Sequence, residues 1–469
     1  MKKYEVVIVG GGIAGLATAE MFARSGLKTL LLEKQEKLCM ETSGLHHEWF
    51  HFGSLYAILP QNQFFRTLVG GIEDVLDYYR DFNGMNLRID GEGKLVKINR
   101  QNAWFRQDNL VYAIATTNDN DFSLRKAKRI DEIARKMVMK LSWGKAIKRF
   151  VSRHNRFYKY DWRRGCASRW IPRAGWFDYS EEHLQNFEND ELTLASTHIS
   201  MQSYDCPMNA YSIISDLTKS LISNGGEFLS CAKFLDYRKK SNRIEVVYDN
   251  GTIATNRLIL ASGKALQEQS KERIKVESVL SPLLVVAPAV CSSNIVRLTP
   301  FMDQTINHLK HSVEGREYSL IGGGYFAPPN DGEAIRRASH QLLEKAQTVF
   351  PKMADAKLTR LYFSTKSEIL SSKARRNYLY KIDKIERDVY TIVPGKFSLA
   401  FSLAVNTFKE VMGRCPQTYT SYHSDLDVDG FIAPIKHKSI MKEFLQAQFD
   451  TRRSPRITVV SQDERELVS

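Results

Sequence analysis

The chain has 469 residues, of which 43% are hydrophobic and 11% aromatic, and its formal net charge is +14. This length exceeds one ordinary hydrophobic core and predicts two packed domains. The longest apolar run, residues 279–291, is interrupted by Pro282 and Pro288 and is too short to form a membrane-spanning helix.

The start of the chain carries the most informative pattern. An apolar run at residues 6–9 ends in glycines, a helical pattern follows, and a second apolar run at residues 29–32 ends in Glu33. The turn and the helix start consist of Gly10, Gly12, Ile13, Ala14 and Gly15. Glycines there allow a tight turn and close approach of a pyrophosphate, and the helix N-terminus offers N–H groups to it. Because Glu33 can accept hydrogen bonds from both ribose hydroxyls, the unit predicts a dinucleotide site that suits NAD and FAD equally.

Further elements follow in chain order. Periodicity predicts a helix at residues 64–79, short strands at 87–116 and an amphipathic helix from residue 123. A helix at 209–223 comes next, then strands at 228–235, 244–249, 252–254 and 257–263 and a β-rich region at 279–330. Helices at 333–349 and 398–412 complete the pattern, the second being the last long helix expected. The charged tail after residue 450 is predicted to be disordered.

Cysteine usage and the early start of the pattern bear on the compartment. Six cysteines are scattered along the chain without a Cys-x-x-Cys pair or a histidine cluster at ligand spacing. Reduced thiols are therefore expected, with neither a disulfide framework nor a metal site. No secretory signal is expected, because the strand pattern already begins at Tyr4. Together these features predict a cytoplasmic protein.

Four separated stretches of the chain share one resemblance. They are the 10–33 unit, the Glu41-Thr-Ser-Gly loop that runs on to Tyr56, residues 260–263, and residues 393–398 at the start of a helix. They resemble flavoproteins of the D-amino-acid-oxidase superfamily, most of all the branch of FAD-dependent glycerol-3-phosphate and 2-hydroxyglutarate dehydrogenases. The resemblance implies an FAD-dependent oxidoreductase that acts on a carbon bearing a hydroxyl or an amine. The last two matches favour FAD over NAD.

The resemblance also implies the architecture. The expected fold class is α/β, with a Rossmann-like FAD-binding domain and an interleaved antiparallel-sheet substrate domain. The FAD-binding domain is predicted at 1–85, 205–270 and 385–415, and the substrate domain at 86–204 and 271–384. Residues 416–469 are predicted to be a C-terminal extension.

Particular residues are implied to hold FAD. Thr42 and Ser43 can hydrogen-bond the pyrophosphate, and the backbone near Lys233 is expected to contact adenine. A helix N-terminus and a lysine at Gly395-Lys396 favour the negative charge that a flavin gains on reduction. The full predicted set is Gly10, Gly12, Ile13, Ala14, Gly15, Glu33, Lys34, Thr42, Ser43, Lys233, Ala261, Ser262, Gly263, Gly395, Lys396, Phe397 and Ser398.

Three residues are predicted to act on the substrate. His51 takes the place of the family histidine and can accept a proton near neutral pH, with a packing role as the alternative. Arg376, helped by Lys366, is the predicted anchor of a small anionic substrate. The usual Arg-Pro pair is absent at Lys366, and Phe52 displaces the second glycine of the His-Gly-Gly motif, so the resemblance does not fix the substrate. The electron acceptor is left open between oxygen, a quinone and another acceptor.

Two neighbouring histidines are weaker candidates. His46 and His47 are adjacent in an extended stretch, so at most one of them is expected to face the site.

A basic segment, residues 125–173, accounts for the whole net charge. It holds 17 Lys/Arg against 3 acids, a balance of 17 − 3 = +14. Three interpretations stay open: a lysine-rich solvent face, a peripheral contact with the inner membrane surface, or an RNA-binding surface, as in a tRNA-modifying flavoprotein. A flavin-binding protein without turnover is a further alternative, because it would need neither His51 nor Arg376.

Overall fold

The structure is a computed structural model. It describes residues 2–50, 67, 71, 74–75, 78, 87–89, 95–97, 110–115, 177–178, 184–185, 191–193, 198–203, 206–298, 305–369, 379–416 and 425–449. Several predictions lie outside the described residues: the role of His51, the role of Arg376, the helix from residue 123 and the nature of the basic segment 125–173, and the disorder of the tail after residue 450. Most of the predicted helix 64–79 lies outside them as well.

The first sheet has eight strands and carries the dinucleotide pattern. In spatial order they are Glu227–Leu229, Thr29–Leu32, Lys3–Val9, Gly251–Leu260, Arg243–Tyr248 and Phe234–Lys240, with Val389–Val393 also paired to Gly251–Leu260 and Lys381–Glu386 beyond it. The strands from Glu227–Leu229 through Gly251–Leu260 to Val389–Val393 pair in parallel.

The register of this sheet brings three chain segments to one edge. Val9 pairs with both Leu32 and Leu260. The residues that follow these strands therefore emerge side by side at the carboxyl edge, which is where ligands of open α/β sheets bind.

Helix Ile13–Arg24 packs between helices Ala400–Met412 and Ala210–Ser223. Phe22 packs on Phe408 with ring centroids 5.0 Å apart. Ser220 donates a hydrogen bond to a Glu20 oxygen at 2.7 Å, and the same buried carboxylate pairs with Arg24 at 3.2 Å. These contacts hold the helix N-terminus at the carboxyl edge of the sheet.

The second sheet is antiparallel apart from the pair Asn294–Leu298 with Leu110–Ala115. Its nine strands are, in spatial order, Leu358–Ile369, Val276–Ala287, Arg316–Gly323, Ile306–Val313, Asn294–Leu298, Leu110–Ala115, His198–Ser203 and Phe177–Asp178, with Leu184–Gln185 paired to His198–Ser203. Two short antiparallel pairs lie apart from it, Trp49–Phe50 with Cys206–Pro207 and Leu87–Ile89 with Leu95–Lys97.

The predicted fold class is confirmed, since a largely parallel sheet carrying the dinucleotide pattern stands beside a separate antiparallel sheet. The α-helices of the described residues are Ile13–Arg24, Thr42–Leu45, Ala210–Ser223, Leu266–Gln269, Gly332–Val349, Ala400–Met412 and Lys436–Phe449. Short 3₁₀ helices lie at Gly263–Ala265, Pro351–Asp355, Phe397–Leu399 and Asp429–Phe431. Within the described ranges, none of these helices has both the length and the apolarity needed to cross a bilayer.

The expectation that 398–412 is the last long helix is wrong. Helix Lys436–Phe449 follows it and buries Ile440, Met441 and Leu445 against the second sheet. The apolar residues of this helix all lie in residues 440–449, and its first turn is polar. The apolar pattern is therefore short, and tertiary packing stabilises the helix.

Candidate cofactor and substrate site

A cavity of about 530 Å³ lies between the carboxyl edge of the first sheet and strand Leu358–Ile369 of the second. Its size is in the range of small-molecule and cofactor sites. Fifteen of the seventeen residues predicted to hold FAD line it, namely Gly10, Gly12, Ile13, Ala14, Glu33, Lys34, Thr42, Ser43, Lys233, Ala261, Ser262, Gly263, Gly395, Lys396 and Phe397. Gly15 and Ser398 are not among the lining residues, and the structure gives both a packing position behind the wall.

The glycines of the first turn have different physical roles. Gly10 has φ +105°, and a Cβ there would lie 2.7 Å from the Ala261 carbonyl oxygen. A Cβ on Gly15 would lie 1.9 Å from the Gly10 carbonyl oxygen, so Gly15 serves close packing of helix on strand. A Cβ on Gly12 would have Ser43 Oγ as its nearest neighbour, at 3.4 Å. Gly12 therefore leaves space in the cavity.

The N-terminus of helix Ile13–Arg24 opens on this space. The Ile13 N–H donates to Ser43 Oγ at 2.9 Å, and no acidic residue stands in the first helical turn. The first N–H groups of a helix have no intrahelical partners and form the positive end of its dipole. A pyrophosphate fits this donor set.

Glu33 is held by the backbone of the same edge. Its Oε2 accepts from the Gly11 N–H at 2.6 Å and its Oε1 from the Gln35 N–H at 2.8 Å. Burial raises the pKa of this carboxyl, although both backbone hydrogen bonds counteract the rise. Each carboxylate oxygen keeps a further lone pair, so the predicted bonds to ribose hydroxyls remain available.

The opposite wall of the cavity is formed by side chains from two distant segments. We define the opposite wall as His46, His47 and Trp49 of the loop after helix Thr42–Leu45, with Ser364, Lys366 and Ser367 of strand Leu358–Ile369. Both histidines line the cavity, so the expectation that at most one faces the site is wrong. The loop is irregular rather than a continuous strand, and residue alternation does not apply to it. Lys366 Nζ lies 4.8 Å from the ring centroid of Phe326.

His46 has a defined protonation pattern. Its Nδ1 accepts from the Glu48 N–H at 2.9 Å, which places the proton of the neutral ring on Nε2. The ring stands edge-on to Phe397 with centroids 4.7 Å apart. Burial lowers the pKa of His46 to about 4. The ring is therefore neutral at pH 7 and suits hydrogen-bond donation better than proton abstraction.

No sequence motif indicates the buried charge cluster behind this loop. Glu48, His311 and His437 place ligand atoms within 4.8 Å of one another. However, Lys438 Nζ lies 2.9 Å from Glu48 Oε2, and an ammonium group at that distance opposes a metal cation. The cluster is an ion-paired network that joins the loop to the C-terminal helix.

FAD fits this site. Its pyrophosphate needs the space at Gly12 and the helix N-terminus, and its adenosine ribose needs the buried acid Glu33.

Solved structures with the same fold include glycine oxidase from Geobacillus kaustophilus, with 13% identity and a TM-score of 0.61 over 92% of this chain and 98% of that chain. L-alpha-glycerophosphate oxidase from Mycoplasma pneumoniae, solved with FAD bound, has 14% identity and a TM-score of 0.57 over 92% and 100% of the two chains.

Sequence comparisons agree with the fold. Monooxygenase 1 of Arabidopsis thaliana is 49% identical over 45 residues, which are 10% of this chain and 11% of that protein. This match therefore spans about a tenth of the curated relative. The family model described as DAO, FAD dependent oxidoreductase, matches residues 5–367. The chain belongs to this family of FAD-dependent oxidoreductases.

Proposed function

We propose that this enzyme oxidises a small anionic compound at a carbon that bears an amine or a hydroxyl. Bound FAD supplies the acceptor for the two electrons. Membership of the family supports the type of reaction, and the charge of the opposite wall supports an anionic substrate. The wall contains Lys366 and no carboxylate.

Two of the carboxylates elsewhere around the cavity have cationic partners. Glu41 pairs with Lys34 at 2.7 Å, and Asp236 pairs with Lys271 at 3.2 Å. Glu33 accepts hydrogen bonds from two backbone N–H groups, and Glu268 lies on helix Leu266–Gln269 rather than on the opposite wall. A carboxylate or phosphate at the opposite wall would therefore meet the Lys366 cation and no acid of that wall, which favours an anion in a partly closed cavity.

The names of the structural neighbours are consistent with either heteroatom. One is a glycine oxidase, which acts on an amine, and the other is an α-glycerophosphate oxidase, which acts on an alcohol. Both substrates named there carry an anionic group, the carboxylate of zwitterionic glycine and the phosphate of glycerophosphate. The same chemistry at the opposite wall accommodates both classes.

We assign substrate binding and proton transfer to particular residues of this chain. Lys366 would attract the substrate's anionic group, and the Ser364 hydroxyl, on the same strand face, can add a hydrogen bond. His51 remains the predicted proton acceptor and Arg376 the predicted bidentate anchor. His46 is unsuited to removing the proton, because burial holds its pKa near 4.

The test is anaerobic reduction of the purified holoenzyme by a panel of amino acids, hydroxy acids and glycerol phosphates. Each is paired with its neutral amide or uncharged alcohol, and bleaching of flavin absorbance is the readout. For an anion that reduces the wild type, Lys366→Met should raise the apparent dissociation constant about tenfold to hundredfold. Lys381→Met is the matched control, because Lys381 forms a partly exposed ion pair with Asp383 and does not line the cavity. Equal reduction by charged and neutral members of each pair would overturn the proposed substrate class.

The acceptor and the partners stay proposals. Oxygen, a quinone or another acceptor can reoxidise a flavin, and mixing the reduced enzyme with each one separates them. Binding of the full chain to anionic vesicles or to tRNA at two salt concentrations tests the two surface roles suggested for segment 125–173.

A further inference from the structure

Glu48 has an unusual backbone conformation for a residue with a side chain. Its φ is +54°, in the left-handed region, and the residue is fully buried. A non-glycine residue there is strained and persists only where its surroundings hold it. The surroundings of Glu48 therefore need an explanation.

The carboxylate of Glu48 is clamped by groups from two other segments. Oε1 accepts from the Ala210 N–H at 2.7 Å. Lys438 Nζ lies 2.9 Å from Oε2, and His437 Nε2 lies 3.1 Å from the same oxygen. Lys438 and His437 belong to the C-terminal helix, so this helix holds the cavity loop from behind.

The clamp is charged at neutral pH. Burial alone would raise the pKa of Glu48, but Lys438 and His437 together hold it well below its usual range. Because the ionised Glu48 carboxylate can only accept, a neutral His437 carries its proton on Nε2, which faces Glu48, and its Nδ1 accepts from the Tyr318 hydroxyl at 2.7 Å. His311 Nδ1 completes the surroundings at 3.8 Å.

The clamp determines how His46 is presented. The Glu48 N–H is the group that occupies His46 Nδ1. His46 Nε2, which then carries the proton, is buried and has no hydrogen-bond partner among the described residues. Since His46 and its neighbour Phe397 both line the cavity, a ligand bound there can supply the acceptor.

We propose that Glu48 is a positioning residue that, clamped by His437 and Lys438, fixes His46 as a neutral donor of one hydrogen bond from Nε2 to an acceptor atom of bound FAD. The proposal rests on the family's cofactor and not on the substrate class proposed above, so either can fail alone. It assigns the C-terminal helix a part in shaping the flavin's environment.

Hydrogen exchange of the holoenzyme tests the clamp. The peptide covering residues 42–50 is followed in the wild type, Glu48→Ala and Glu48→Gly. Glycine accepts φ +54° without strain but cannot bind the helix. We expect at least about tenfold faster exchange in Glu48→Ala and a smaller increase in Glu48→Gly. Glu443→Gln is the control, because Glu443 is an exposed acid of the same helix that pairs with Arg360, and its exchange should equal that of the wild type. If the exchange of Glu48→Gly also equalled that of the wild type, the clamp would be dispensable and the proposal would be overturned.

Two substitutions of His46 separate positioning from donation. Asn places an acceptor where Nδ1 was and can keep the Glu48 bond, whereas Gln places an N–H donor where Nε2 was. His46→Asn should leave exchange of residues 42–50 unchanged, yet weaken FAD binding to the stripped full-length protein about threefold to tenfold. It should also lower the midpoint potential of bound FAD, because a donor stabilises the more negative reduced flavin.

His46→Gln should recover most of the FAD affinity and of the potential. An affinity and a potential in His46→Asn equal to those of the wild type would make His46 a packing residue and overturn the donor assignment. Failure of His46→Gln to exceed His46→Asn would overturn it as well.

Discussion

The two sides of the cavity are built in different ways. The side formed by the first sheet uses backbone groups, glycines and one acid that lie within the first 33 residues or at the ends of neighbouring strands. The opposite wall uses side chains of a loop and a distant strand, and the C-terminal helix supports the loop from outside the cavity. A site made by local backbone geometry leaves a motif in the sequence, whereas a site made by side chains from distant segments leaves scattered residues.

Gly15→Ala should have the largest effect, because it damages the backbone geometry itself. The new Cβ would lie 1.9 Å from the Gly10 carbonyl oxygen, which neither the strand nor the helix can vacate cheaply. Overpacking of this kind costs about 3 kcal/mol or more. We expect little soluble folded protein, or a thermal midpoint lower by many degrees. Gly332→Ala is the control, since its Cβ meets only the flexible end of Arg336; equal midpoints for the two variants would contradict close packing at Gly15.

Gly12→Glu should remove the cofactor but spare the fold. A side chain at Gly12 has room beside Ser43, yet a carboxylate there would meet the pyrophosphate at the helix N-terminus. We expect FAD binding at least about a hundredfold weaker, with a near-normal far-ultraviolet dichroism spectrum. Gly12→Ala should bind with intermediate affinity. Full flavin content in Gly12→Glu would show that the phosphate site lies elsewhere.

The contrast between the two sides also explains what could be predicted. The glycine turn and Glu33 could be predicted as a dinucleotide unit because each residue type meets a local constraint, and in the structure they line one cavity. His46 and Lys366 could be named only as candidates, since their placement depends on a loop and a strand 320 residues apart. Helix Lys436–Phe449 and the Glu48 clamp were missed, because no local rule connects Glu48 with His437.

Acid should weaken the second sheet through His308. Its Nδ1 and Nε2 bond Ser293 and Ser319, and burial lowers its pKa from 6.5 to about 4. In the folded state His308 therefore binds a proton less readily than in the unfolded state. The contribution of neutral His308 to the free energy of unfolding is complete above pH 6.5 and is lost as the pH falls toward 4. At pH 5 the loss is on the order of 2 kcal/mol.

The thermal midpoint at pH 7 and pH 5 tests this loss. His308→Gln should be less stable than the wild type at pH 7, because the buried hydrogen bonds are weakened. Its midpoint should nevertheless fall by a few degrees less between the two pH values. Parallel pH dependence of the two proteins would mean that His308 does not titrate in this range.

Glu33→Gln should have the smallest effect and is the sharpest test of the backbone-built side. The carboxylate accepts one N–H on each oxygen, from Gly11 and Gln35. An amide keeps one acceptor oxygen and turns an NH₂ group toward the other N–H, so one bond must be lost and the charge with it. FAD should bind about tenfold more weakly, because hydrogen bonds to charged groups are the stronger ones. Glu41→Gln is the control, since its partner Lys34 is partly exposed and such pairs contribute about 1 kcal/mol or less. Normal FAD binding by Glu33→Gln together with weak binding by Glu41→Gln would show that Glu41, and not Glu33, contacts the ribose. The side of the cavity formed by the first sheet would then also depend on a loop side chain, which no motif at the end of a strand identifies.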